Sequence, residues 1–434
     1  MRESFPVKIK NLRILLPALA AVCCLFGCGE ETPVEKPPVS QYKSEGTYTE
    51  LGKDQLTWEG VNALPMKHAD MTPQEARDTV IAFWRYCKTA LWIADDRYEI
   101  YKEEDGVNTL KRWLDPGGVY AGLPYVGTAT GNIYRLFDFM DPDTGVVDVK
   151  RAGVDPGTFG GMCSSGCYWA WARVMNSADY RWCADSVVSR GYLRVGPYTY
   201  PDSWTKFIEV GYQGTDDVCK ENGEQVIYQS YAAMEVADGM ISLYEKNGHT
   251  QMCTVAPTVV YNEDGTINGV ESWLAIIEQG GVWEDGSSAS GIPFQRECSM
   301  ERRFTFYQLY TGAYIPFTFG ELIGTDPIEE TEAAFSHTGE TITEKQLFSG
   351  KVTSNYHISD IYIYVYDAVG NEIYKHVARV RTPSTKEQKI HKLENRSYTW
   401  GSWDDVKAGD TVKVEVQLGT GERPVVWEGK LAVG

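Results

Sequence analysis

The residue with the clearest chemical promise is Cys163, in the run Phe159-Gly160-Gly161-Met162-Cys163-Ser164-Ser165-Gly166. The glycines favour a tight turn. The stretch that follows, Cys167-Tyr168-Trp169-Ala170-Trp171-Ala172-Arg173-Val174, repeats apolar residues at spacings of three and four, so Cys163 is expected at the N-terminus of a helix. Backbone amides and the helix dipole favour the thiolate there, and the thiolate is the nucleophilic form. The competing reading is a packed core cysteine or one half of a disulfide, with Cys167 or Cys183 as partner.

A cysteine nucleophile needs an imidazole, and the chain has six histidines. His337, His357, His376 and His391 lie in a β-rich C-terminal segment, and His68 lies in a loop before the first helix, which leaves His249. It follows Ala237-Asp238-Gly239-Met240-Ile241-Ser242-Leu243-Tyr244, a turn and strand, then Lys246-Asn247-Gly248, and it opens a second strand, Thr250 to Ala256. The two strands read as a hairpin. A third segment, Trp273-Leu274-Ala275-Ile276-Ile277-Glu278-Gln279-Gly280-Gly281, reads as a buried strand ending in two polar residues and a glycine turn. One of the two could orient the imidazole as the third member of a triad. Alternation puts Glu278 and Gln279 on opposite faces, so only one can do so. The plainer reading leaves His249, Glu278 and Gln279 as solvated polar residues. A metal site built from Cys163, Cys167 and His249 lacks a fourth ligand, so no metal or other cofactor is expected.

The elements that must position these residues are legible in the same terms. Thr72-Pro73-Gln74-Glu75 has the capping-box pattern of a helix start, and Val80, Phe83, Trp84, Cys87 and Leu91 recur at helical spacing. Near the other end, Val412, Val414, Val416 and Leu418 alternate with polar residues, and Ile361 to Tyr366 is an unbroken β-branched and aromatic run. Turn signals at 369–371, 408–410 and 419–421 separate them. Residues 329–434 are therefore expected to form an immunoglobulin-like β-sandwich.

At the N-terminus, Arg2, Lys8, Lys10 and Arg13 precede the apolar run Ile14 to Gly27, the pattern of a secretory signal. It ends Leu25-Phe26-Gly27-Cys28, which resembles a bacterial lipobox. Residues 1–27 would be the removed lipoprotein signal, Cys28 the lipidated N-terminus, and 28–46, rich in Pro, Glu and Ser, a flexible tether. Removing residues 1–27 takes away four basic residues and Glu3 and moves the formal charge from −19 to −22. That balance argues against nucleic acid or an anionic surface as the partner.

The three chemical segments, in this order, resemble the NlpC-type papain-like cysteine peptidases of bacterial cell envelopes. In that family the cysteine begins a helix packed on an antiparallel sheet, the histidine begins one strand and a polar residue ends the next. Gly122-Leu123-Pro124-Tyr125-Val126-Gly127 is similar to the family's G-x-P-Y-V-x-G segment, and Ala237 to Ile241 is similar to its P-G-D-L-V run. The resemblance implies Cys163 as nucleophile, His249 as base, Glu278 as third residue, and Tyr125 and Ser164 at the substrate. It covers about Gly122 to Gly281. Met162 replaces the family's Asp before the cysteine, and a methionine cannot hold the free amine of a peptidoglycan stem peptide.

The chain is therefore expected to be α+β, with a papain-like NlpC-type core over 47–328 followed by the sandwich. The expected activity is hydrolysis of an amide in peptidoglycan or another envelope substrate, on the extracytoplasmic face of a bacterial membrane to which Cys28 anchors it. The rival expectation is a non-catalytic envelope lipoprotein that binds glycan or protein through its 13 Trp and 27 Tyr and the sandwich.

Overall fold

The computed structural model describes residues 47–432 apart from 105–106, 127–129, 154–159, 177–191, 201–213, 245–246, 381–384 and 391–396. Signal, lipidation site Cys28, tether, Cys183 and His391 thus lie outside the described residues. The chain is α+β with several sheets, and the described residues belong to one compact unit.

Pro73–Thr89 is helical for the reason its sequence gives: the Thr72 hydroxyl accepts from the Glu75 amide while the Glu75 carboxylate accepts from Thr72. The helix ends one residue before Ala90, whose backbone is extended, so Leu91 does not continue its apolar stripe but opens the buried strand Leu91–Ala94. That strand belongs to a nine-stranded sheet whose centre is antiparallel. Pro293–Thr305, Trp273–Ser287, Asn247–Thr258, Gly239–Tyr244 and Ile315–Phe319 are neighbours in that order. The hairpin expected around His249 is present, joining Gly239–Tyr244 to Asn247–Thr258 with Ser242 opposite His249, but Asn247 and Gly248 are already paired, so His249 lies inside the second strand and does not open it.

One expectation is corrected. Gly280 and Gly281 do not turn the chain, because the strand that carries Glu278 runs on to Ser287, paired with Pro293–Thr305 on both sides of the glycines. The ladder slips at the glycines, with Gln279 opposite Cys298 and Glu284 opposite Arg296, but pairing on both sides keeps the strand going through them despite the weak strand propensity of glycine. Glu278 and Gln279 are therefore mid-strand residues.

Cys163–Trp171 is a helix that begins at the cysteine. Its Trp171 ring meets Phe317 and Phe319 of the sheet at 5.5 and 5.0 Å, and Gly166 lies against Trp84 of helix Pro73–Thr89. A Cβ at Gly166 would come within 2.5 Å of that indole, so the residue is glycine because two helices meet there.

The C-terminal part has a three-stranded and a six-stranded sheet. Phe335 and Val352 from the first share a core with Ile361, Ile363, Val414 and Val416 from the second, as the alternating pattern requires. This part packs on the rest through buried polar groups. Arg135 pairs with Asp360 at 3.2 Å, Arg379 with Asp360 at 3.1 Å and with Asp138 at 2.8 Å, and Lys375 with Asp138 at 3.1 Å. Arg135 also donates to the carbonyls of Ser359 and Val380 at 3.1 and 3.0 Å. Tyr168 of the Cys163 helix is hydrogen-bonded to His357. Buried charges survive only when paired in this way.

Burial alone would push the Asp138 carboxyl up, but Lys375, Arg379 and Arg423 outweigh it and hold it at about 2. A carboxyl depressed in the folded state adds stability that is full above its unfolded value near 4 and is lost as pH falls toward 2. The expected size is about 2 kcal/mol. Asp138→Asn should therefore be less stable than wild type in urea unfolding at pH 6, with the gap narrowing between pH 4 and 2; a gap independent of pH would refute the assignment.

Candidate active site

The ladder between the histidine strand Asn247–Thr258 and the glutamate strand Trp273–Ser287 is formed at Met252–Ile277 and Cys253–Ile276 and continues toward Thr258–Trp273. Toward the hairpin turn, among the described residues, no backbone pairing joins 247–251 to 278–281. The histidine strand there pairs only with Gly239–Tyr244, and Glu278 and Gln279 pair with Ser299 and Cys298. The sheet is thus split at the level of the candidate site.

The Cys163 helix lies at this split. The Cys163 sulfur is 3.9 Å from the Gly248 carbonyl oxygen, and the Cys167 sulfur is 3.8 Å from that of Thr250. Gly166 approaches the Cβ of Gln279 on the other side, where an added Cβ would sit 3.0 Å away. The helix start is set by Ser165, whose hydroxyl accepts from the Met162 amide at 2.9 Å. Met162 itself offers no side-chain oxygen to the first turn. Ser164, in that turn, is 7 % exposed.

Across the split the link is made by side chains. His249 Nε2 and Glu278 Oε2 are 2.5 Å apart, and Gln251 donates to the same carboxylate oxygen at 2.9 Å. Burial raises the Glu278 carboxyl, but the hydrogen bond and charge of His249, with the hydrogen bond from Gln251, outweigh it and leave it below the usual carboxylate range. An ionised carboxylate only accepts, so Nε2 is the nitrogen that donates to it, which leaves Nδ1 as the basic nitrogen whenever the ring is neutral. The Tyr314 ring stands edge-on to the imidazole at 6.4 Å. No hydrogen bond joins the Cys163 sulfur to His249 among the described residues.

Of the two polar neighbours, Glu278 takes the histidine. Gln279 instead donates to the Leu123 carbonyl at 3.0 Å, pinning the segment that carries Tyr125. That segment bridges Gly161, two residues before Cys163: Gly161 N donates to Pro124 O at 3.0 Å and Val126 N to Gly161 O at 3.2 Å. The Tyr125 amide donates to Glu297 and its carbonyl accepts from Arg112, which also pairs with Glu297. Burial, opposed by Arg112 and the Tyr125 amide, moves the Glu297 carboxyl up to about 7.

Sequence reasoning missed Gln251, Tyr314, Arg112 and Glu297. Gln251 was detectable, since it shares the face of His249 two residues on. Glu297 lies 172 positions from Tyr125 and carries no local signal.

Four other cysteines serve as a contrast. Cys87, Cys219, Cys253 and Cys298 are free, buried thiols. Burial pushes the first three up to about 12 and raises the fourth as well, so none is a nucleophile at neutral pH. Among the described residues no group of three His, Cys, Asp or Glu side chains could hold a metal ion.

The proton position is directly measurable. Nitrogen-15 spectra of neutral His249 should show the proton on Nε2, and Glu278→Ala should lose that preference; a wild-type ring protonated on Nδ1 would contradict the arrangement. No model of a known protein family and no curated protein matches this chain.

Proposed function

We propose that the protein is a surface-anchored cysteine hydrolase that cleaves an amide bond, with a papain-like core of NlpC type and an immunoglobulin-like C-terminal sandwich. The observation that carries this reading is the His249–Glu278 pair, oriented through Nε2 so that Nδ1 is left to exchange a proton, one residue from the carbonyl against which the Cys163 sulfur rests.

In this reading Nδ1 takes the thiol proton, and the thiolate attacks the substrate carbonyl to give a tetrahedral oxyanion. The Cys163 backbone amide at the helix start is its donor. Collapse expels the amine, protonated by His249, and leaves a thioester. A water activated by the same imidazole hydrolyses it and restores the thiol. Sulfur and imidazole must close on each other for the first step, and catalytic hydrogen bonds that are long in ligand-free enzymes commonly tighten around substrate. Tyr125, fixed by Gln279, Glu297 and Arg112 through its backbone neighbours, and Ser164 line the approach in this proposal. Peptidoglycan stem peptide is the leading substrate class, and the lipid on Cys28 would hold the enzyme near it.

A second reading has its own support. A cleft of about 590 Å³ opens beside Trp58, Tyr364, Tyr366, Lys413, Glu415 and Arg423, where the C-terminal sheet meets the first short helix, Trp58–Asn62. Its size is that of a ligand pocket. It favours a binding protein whose Cys163 is inert.

Digestion of purified peptidoglycan, followed by mass spectrometry of the released peptides, separates the two. Wild type should release fragments, Cys163→Ala none, and His249→Ala should be slower by about 10²–10⁴-fold. Identical peptides from wild type and Cys163→Ala would remove the peptidoglycan assignment, and pull-down of the same glycan by both proteins would then support the binding reading.

A further inference from the structure

The turn that follows strand Asn247–Thr258 carries a tyrosine that the fold does not use. Tyr261 is 63 % exposed, and among the described residues its side chain has no ring, cation or hydrogen-bond partner. Its position is nonetheless fixed. Asn262 N donates to Thr266 O and Asn268 N to Val260 O, both at 2.8 Å, which closes the turn. The Gln225 side-chain amide grips Ile267 twice, donating to its carbonyl at 3.0 Å and accepting from its amide at 2.8 Å. Gln225 belongs to helix Glu224–Ala232, so turn and helix are held at a set distance.

Between them opens a cleft of about 460 Å³, with Tyr261 on the turn and Gln229 on the helix among its lining residues. Ala232, Ala233 and Gly265 keep it roomy. Its polar side chains divide into two sets. Gln225 is engaged by Ile267, and the Thr266 hydroxyl donates to Asp264 at 2.6 Å. The Gln229 amide and the Tyr261 hydroxyl have no partner among the described residues, and an amide offers a donor and an acceptor at once. No Asp, Glu, Lys, Arg or His lines the cleft.

That set of groups selects a ligand class. A charged group would lose water in the cleft without gaining a counter-charge. A purely apolar ligand would cover the Gln229 amide and leave it unanswered. What fits is uncharged, rich in hydroxyls and flat on one face. A pyranose meets all three demands: its C–H face carries the slightly positive hydrogens that the negative face of an aromatic ring attracts, and neighbouring hydroxyls can accept from and donate to one amide. We propose that this cleft binds an uncharged pyranose unit of a glycan, its ring laid on Tyr261 and its hydroxyls on Gln229. Val270, three residues past Ile267, and Tyr307, whose amide donates to Gly269 O at 2.8 Å, are also exposed, so apolar surface is available beyond the cleft for further units of the same chain. The strand that leads to the turn carries His249 near its other end, and at about 3.3 Å per residue Thr258 lies roughly 30 Å from it. The glycan site is separate from that of Cys163 and stands whether or not that cysteine is a nucleophile.

The test is calorimetric titration of the purified chain, wild type and Cys163→Ala, with N-acetylchitotetraose, cellotetraose and mannotetraose, and with tetragalacturonate and tetralysine as charged probes. At least one neutral oligosaccharide should bind, equally well to both proteins. Tyr261→Ala should weaken that binding by about tenfold or more, Tyr261→Phe should keep most of it, and Gln229→Ala should weaken it several-fold. Tyr261 and Gln229 are both exposed, so all three variants should keep the wild-type thermal midpoint. In saturation-transfer spectra the pyranose C–H protons should receive magnetisation from wild type and lose it in Tyr261→Ala. Absence of binding by every neutral oligosaccharide overturns the proposal, as does tighter binding of either charged probe. Glycan binding that survives Tyr261→Ala but fails in Tyr366→Ala overturns this site and moves the glycan to the cleft beside Trp58.

Discussion

The helix Cys163–Trp171 exposes almost nothing: every residue but Gly166 is buried. A helix that is apolar all round can exist only inside a protein, and this requirement shapes what surrounds it. The sheet supplies one wall through Phe317, Phe319 and the edge carbonyls of Gly248 and Thr250. Helix Pro73–Thr89 supplies a second through Trp84, and the C-terminal part supplies a third, with His357 on Tyr168 and Gly419 against Ala172. Remove any wall and Trp171, Tyr168 or Trp169 meets water.

The split between the histidine and glutamate strands follows from seating such a helix on a sheet. Where the strands pair, their backbone groups satisfy one another. Where the helix start intrudes, the carbonyls of Gly248 and Thr250 face cysteine sulfurs instead. The join across the opening passes to His249, Gln251 and Glu278, a charged and hydrogen-bonded bridge in a half-buried place. Polar side chains thus do there what the backbone does elsewhere, and this is why a carboxylate can remain ionised at the edge of a core.

Local patterns were legible in the sequence to the extent that local physics decides them. The capping box at Thr72, the cysteine at a helix start, the hairpin before His249 and the alternating valines of 412–418 all follow from neighbours within a few positions. The pairing of His249 with Glu278 rather than Gln279 needed the register of three strands. Gly280 and Gly281 looked like a turn because glycine is a turn residue in isolation, yet Pro293–Thr305 pairs on both sides of them and the strand passes through the irregularity. Arg112 and Glu297 meet at Tyr125 only because distant strands converge there.

The chain of Arg135, Asp360, Arg379 and Asp138 decides whether the two parts of the molecule could stand apart. A module that can be shuffled between proteins presents a surface that tolerates water when its neighbour is absent. Here each half would carry away charges whose partners stay behind: Asp138 and Arg135 on one side, Asp360 and Arg379 on the other. The C-terminal sheets therefore cannot be cut away from the helix-bearing part without stranding four charges that the intact chain keeps buried and paired.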